Sequence, residues 1–137
     1  MKKTTKYLLL FLVLLGCHRV EKVSPEGLKP LVGRWRLVAQ RNLQSEEKEW
    51  VEVPSGKGAF TIIRYDGVIL DSQGRGLCCG TDILWLNGTK YLIEPQEEVP
   101  YNEACRYIDI AWCPLWDIVL DGDTFVRDDE SRYVRMR

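Results

Sequence analysis

Four cysteines, Cys78, Cys79, Cys105 and Cys113, carry the most constrained chemistry in this chain; a fifth, Cys17, stands alone near the amino terminus. Four thiols can form two disulfides or one tetrathiolate zinc site. Zinc sites of that kind normally use Cys-x-x-Cys pairs, and none is present. A bond between the adjacent Cys78 and Cys79 would close a strained ring. Cys105 and Cys113 on one straight strand would lie about 26 Å apart, beyond disulfide reach. Neighbouring strand residues point to opposite faces. The expectation is therefore two cross-links from the adjacent pair to the segment holding Cys105 and Cys113, with the connectivity open, each worth about 2–4 kcal/mol.

Other site chemistry is sparse. The single histidine, His18, lies beside Cys17, outside the globular part. Ser-His-Asp and Cys-His catalysis and histidine-based metal sites are thereby excluded from that part. Oxidised cysteines offer no thiolate nucleophile. Asp121 and Asp123 flank Gly122, where turn chemistry calls for them. Asp128-Asp129-Glu130 lacks the ligand spacing of a calcium loop and reads as a solvated turn. Gly74-x-Gly76 leads into cysteines rather than a helix, so it is no phosphate cradle. The chain is expected to have no enzymatic activity, no metal and no cofactor.

The amino terminus sets the compartment. Lys2, Lys3 and Lys6 precede an uncharged, mostly apolar run, Tyr7 to Gly16, which is too short to span a bilayer and has the order of a secretory signal. Leu14-Leu15-Gly16-Cys17 resembles the lipobox of bacterial lipoproteins. The resemblance implies cleavage after Gly16 and acylation of Cys17, with two or more chains for stable anchoring. His18, rather than Asp, after the cysteine implies the outer membrane of the bacterial cell envelope, where one exists. Residues 1–16 are thus read as a signal peptide. Residues 17–30, broken by Pro25, Gly27 and Pro30, are read as a polar tether. Residues 31–137 are read as one domain. An oxidising compartment makes disulfides the default. The formal charge of the whole chain is −1, and losing three lysines makes the rest more acidic, so a nucleic-acid partner is excluded.

Extended structure is expected almost throughout. Trp35, Leu37 and Ala39 alternate on one face of a first strand. Residues 41–57 read as a long polar loop carrying Trp50. Asp66-Gly67, Asn87-Gly88 and Asp121-Gly122-Asp123 mark hairpin turns between short apolar runs. Residues 106–112 alternate, with Ile108, Ile110 and Trp112 on one face, and 102–107 could form a helical turn. Eight or nine short strands in hairpin order predict an all-β, closed, antiparallel up-and-down barrel.

The chain resembles a lipocalin-like domain of bacterial envelope lipoproteins. The residues that carry the resemblance are Leu31-Val32-Gly33-Arg34-Trp35-Arg36-Leu37, Phe60 through Asp66-Gly67, Cys79-Gly80-Thr81 and Tyr133-Val134-Arg135. The resemblance implies that Trp35 closes the barrel floor beneath an arginine of the last strand, Arg132 or Arg135. The length, and the lack of a Thr-Asp-Tyr type signature, argue against a large calyx. The leading functional expectation is a small apolar or amphipathic ligand held in the barrel mouth by Trp35, Trp50, Phe60, Ile62 and Trp85. The alternative is a protein-binding module, an inhibitor of a lysozyme or protease or an accessory subunit of an envelope complex. It would make contact through the 41–57 and acidic 94–103 loops. In either case the membrane is engaged through lipid on Cys17.

Overall fold

A computed structural model describes residues 25–110, 113 and 115–137. The signal segment, Cys17 and Trp112 lie outside the described residues. A short 3-10 helix, η1 (Glu26–Leu31), leads into nine strands: β1 (Gly33–Arg41), β2 (Trp50–Glu52), β3 (Phe60–Ile63), β4 (Ile69–Leu70), β5 (Ile83–Leu86), β6 (Thr89–Leu92), β7 (Trp116–Asp121), β8 (Thr124–Arg127) and β9 (Ser131–Arg135). A second 3-10 helix, η2 (Glu103–Tyr107), precedes β7. Among the described residues no helix is long and apolar enough to cross a membrane.

The strands form one curled sheet in the order β4-β3-β1-β9-β8-β7-β5-β6, with β2 paired to β1 beyond the end of β3. The all-β, nine-strand expectation is met. The closed up-and-down barrel is not: β4 and β6 are the two ends of the order, and the result is a half-barrel. The hairpin order also breaks at β5 and β7, which run parallel, Leu84 opposite Trp116 and Leu86 opposite Ile118. Parallel neighbours need a connection of a dozen residues or more. Residues 93–115 are that connection, carrying the chain past β5 before β7 begins.

Three further expectations are corrected. The tether does not extend to Pro30, because Leu28 and Leu31 of η1 are buried in the core; two leucines three apart find an apolar pocket that the local prolines and glycine concealed. The 41–57 stretch is not all loop, because Trp50 to Glu52 pair with Ala39 to Arg41. The strand expected over 106–112 is absent across its described part: Arg106 and Tyr107 close η2, and Ile108 to Ile110 have no ladder partner, while 111 and 112 lie outside the described residues. The helical turn foreseen at 102–107 is present, with the Asn102 side chain accepting a hydrogen bond from the Ala104 N–H.

The core lies in the concave side of the sheet and is plugged by η1. Trp35, Leu31, Leu84, Ile118 and Phe125 are fully buried. Phe125 meets Trp35 edge-on at 4.7 Å, and Tyr133 stacks on Phe125 at 4.6 Å. The Trp35 indole N–H donates to the Leu31 carbonyl at 2.8 Å. Each such side chain stabilises by roughly 1.5–3 kcal/mol through burial.

Candidate functional site

The segment joining β6 to β7 is where the described chain concentrates unpartnered surface on a rigid frame. Two disulfides tie it down, Cys78–Cys105 and Cys79–Cys113, with Cα separations of 5.0 and 5.1 Å. The adjacent cysteines reach different partners, as expected, but from a turn and not from a strand, and the connectivity left open is now read from the structure. One bond fastens η2, the other the start of β7, both to the residues just before β5.

A polar latch holds the other end of the segment. Asp66, in the β3–β4 turn, has a fully buried carboxylate that accepts from Arg64 Nε at 2.8 Å and Nη2 at 2.7 Å, from the Gln96 N–H at 2.9 Å and from the Val68 N–H at 3.3 Å. Arg64 in turn donates to the carbonyls of Glu97 and Glu98, each at 3.0 Å. Burial pushes the Asp66 carboxyl up, but the Arg64 bonds and the two backbone N–H donors outweigh it and hold it below the usual carboxylate range. The hydrogen bond to Asp66, opposed by burial, raises Arg64. Asn102 adds a second tie, donating to Asp71 Oδ2 and to the Gly76 carbonyl, each at 3.3 Å. Gly76 is required there: its N–H donates to the Pro100 carbonyl at 2.8 Å, and a Cβ would sit 2.8 Å from Val99.

Asn102 is buried, and its neighbours Tyr101 and Glu103 are exposed. Tyr101, Tyr107, Ile108 and Leu115 are exposed, Tyr107 to 84%. Glu94, Glu97, Glu98, Glu103 and Asp109 accompany them, against Arg106 alone. Arg106 pairs with Glu103 and Arg64 reaches Glu97, and the segment stays net negative.

The residues expected to bind an apolar ligand do not converge. Trp35 is buried, with the Arg135 guanidinium 4.2 Å from its ring. Arg135, one of the two arginines expected there, also donates to the Val32 and Pro30 carbonyls. Gly33 makes room for it: φ is +140°, and a Cβ would stand 3.0 Å from Arg135 Nη1. Thr61, opposite Trp35, shares its face, so Phe60 and Ile62 point the other way. Trp50 is held between Arg132 at 4.3 Å and Arg41 at 4.5 Å, a staple for the loop rather than a lid. Trp85 is partly exposed on the outer face, opposite Lys90 and Asp117.

Three openings bear on ligand capacity, and one of them, about 240 Å³ and shallow, lies on the segment itself between Leu77, Val99, Tyr101 and Cys105. A cleft of about 140 Å³ lies between Val68, Ile69, Leu77, Ile93 and Val99, where β4 fails to meet β6. An open groove of about 510 Å³ crosses the outer face of β7 and β8, flanked by Asp117, Asp128 and Asp129. Burial pushes the Asp128 carboxyl up although it accepts from the Asp117 N–H at 2.9 Å, and Asp129 pairs with Arg41 at 2.9 Å. No cluster of metal ligands occurs among the described residues.

The sequence signals that led to this site were the cysteine spacing and the acidic run. Tyr107 and Ile108 were missed as surface residues because their alternation with Asp109 mimics a strand. No protein family, curated protein or solved structure matches the chain.

Proposed function

We propose that this chain is a lipid-anchored module of the bacterial cell envelope that binds another protein and does no chemistry of its own. The observation that carries this reading is the filled interior: Trp35, Phe125 and Tyr133 pack against Leu28 and Leu31 where a carrier would hold its ligand. Ligand pockets usually offer about 300–1,000 Å³ lined mainly by apolar groups. The clefts beside Ile93 and beside Tyr101 are smaller, and the larger groove, apolar at Val119 and Val126, lies open on the outer face of β7 and β8 with three carboxylates along it.

Topology separates the disulfides, though not the whole segment, from the tether. The Asp121–Asp123 turn meets Arg135, whose side chain holds η1, so the tether joins the sheet at the finishing end of β7. Cys113 and Cys79 stand at the starting ends of β7 and β5, about 20 Å away along the strand. Residues 96–98, in contrast, stay beside η1, because Arg64 and Asp66 hold them at the β3–β4 turn, where a Cβ on Gly67 would meet both Leu28 and Ile93.

Purified full-length lipoprotein, extracted with organic solvent, is expected to release no compound beyond membrane lipid, and an environment-sensitive fluorophore should show no saturable site. Crosslinking in the intact envelope should yield a protein adduct. A stoichiometric extracted compound with no protein adduct would overturn the reading in favour of a carrier.

A further inference from the structure

Resting on the protein-binding reading, we infer that the contact surface is the solvent-exposed side of residues 94–110, and that it fits a basic face of the partner. Tyr107 and Tyr101 would be the anchoring rings, Ile108 the apolar support, and Glu94, Glu98 and Asp109 the charged rim.

Four observations converge on this segment. Large apolar side chains cluster there in the open: Tyr107 is 84% exposed, Tyr101 61% and Ile108 51%. Soluble surfaces carry single exposed apolar residues routinely, but a concentration within one short segment marks an interaction site. The residue types suit the role, because tyrosine is enriched among the few side chains that dominate interface energies. The backbone beneath them is ordered before any partner arrives. The Cys78–Cys105 bond, the Asn102 ties and the Arg64–Asp66 latch hold it from both ends, so little ordering entropy opposes binding. The net negative charge selects against an acidic partner and steers a basic one. Exposed rings beside carboxylates are complementary to a surface bearing Lys and Arg.

The test is site-directed photocrosslinking in cells making the full-length chain. Benzoylphenylalanine is placed at position 107 and, as a comparison on another exposed strand, at position 51. The adduct is identified by its cross-linked peptide, and affinity is then measured with purified components. Support requires an adduct at 107 and not at 51, on a peptide bearing Lys or Arg. It also requires that Tyr107→Ala weaken binding by about tenfold or more and that affinity fall with added salt. Tyr107 is exposed, so its replacement should leave the unfolding midpoint unchanged; the double variant Glu94→Lys, Glu98→Lys checks the charge term independently, with a comparable loss expected. An adduct only at 51, or a salt-insensitive complex on a neutral peptide, overturns the inference while leaving the protein-binding reading in place. No adduct at either position overturns the inference, and a co-purifying small molecule then overturns the reading as well.

Discussion

Asp66 is the residue on which the loop architecture turns. Its carboxylate is fully buried and saturated by Arg64 and two backbone donors. Removing one partner of a buried ion pair leaves the other charge uncompensated, at about 3–5 kcal/mol. Asp66→Asn keeps the shape and some hydrogen bonds, so a loss toward 3 kcal/mol is expected, read from the midpoint of urea unfolding. The folded carboxyl lies below its usual range; a depressed acid stabilises above its unfolded pKa and ceases to as pH falls. Stability should therefore be flat above about pH 5 and fall below about pH 4. Asp66→Asn should shrink that acid slope without abolishing it, since Asp71 is lowered as well: burial raises it, and the Arg75 and Gln73 N–H groups with the Arg75 side chain more than offset this. An unchanged slope in the variant would dismiss the latch as its origin. Gly33 offers a second check. Gly33→Ala forces a side chain into a left-handed backbone against Arg135, so a loss of about 1–3 kcal/mol is expected in thermal unfolding. The glycine and the tryptophan were legible in the sequence. The choice of Arg135 over Arg132 was not, because it depends on which arginine ends up across β1 from Trp35 and which from Ala39.

At the scale of elements, the segment 93–115 decides the topology. It is too long for a hairpin turn, and its two disulfides pin it across the start of β5, which leaves β7 parallel to β5. Replacing Cys79 and Cys113 together by Ala should cost about 2–4 kcal/mol, with faster amide exchange in 103–110 than in β1 or β9; uniform exchange across the sheet would show that the bond does not act locally. The short hairpins were readable because Asp-Gly and Asn-Gly turns join strands only a few residues apart. The parallel pair and the η1 plug were not. Both depend on contacts between residues far apart in the chain, and a local period of two or three carries no record of them.

For the molecule as a whole, the half-barrel solves the edge problem without closing. The β4 edge is bridged at Leu70 by Gly76, and the Ile93 N–H bond to the Asp82 carbonyl extends the β5–β6 pair by one rung. The interior is filled from one end by η1, so deleting residues 26–31 should unfold the protein rather than empty a pocket; a folded product that binds an apolar fluorophore would show instead that η1 is a removable plug. By itself the amino-acid sequence determined the all-β class, the hairpin turns, the cross-linking of the cysteine pair to the later segment and the absence of imidazole chemistry, because each follows from residue type and near-neighbour spacing. Tertiary structure alone decided that the barrel stays open, that η1 fills its interior and that the tyrosines of 101–107 face solvent. Burial is a property of what packs against a side chain, and its partners here come from the two ends of the chain.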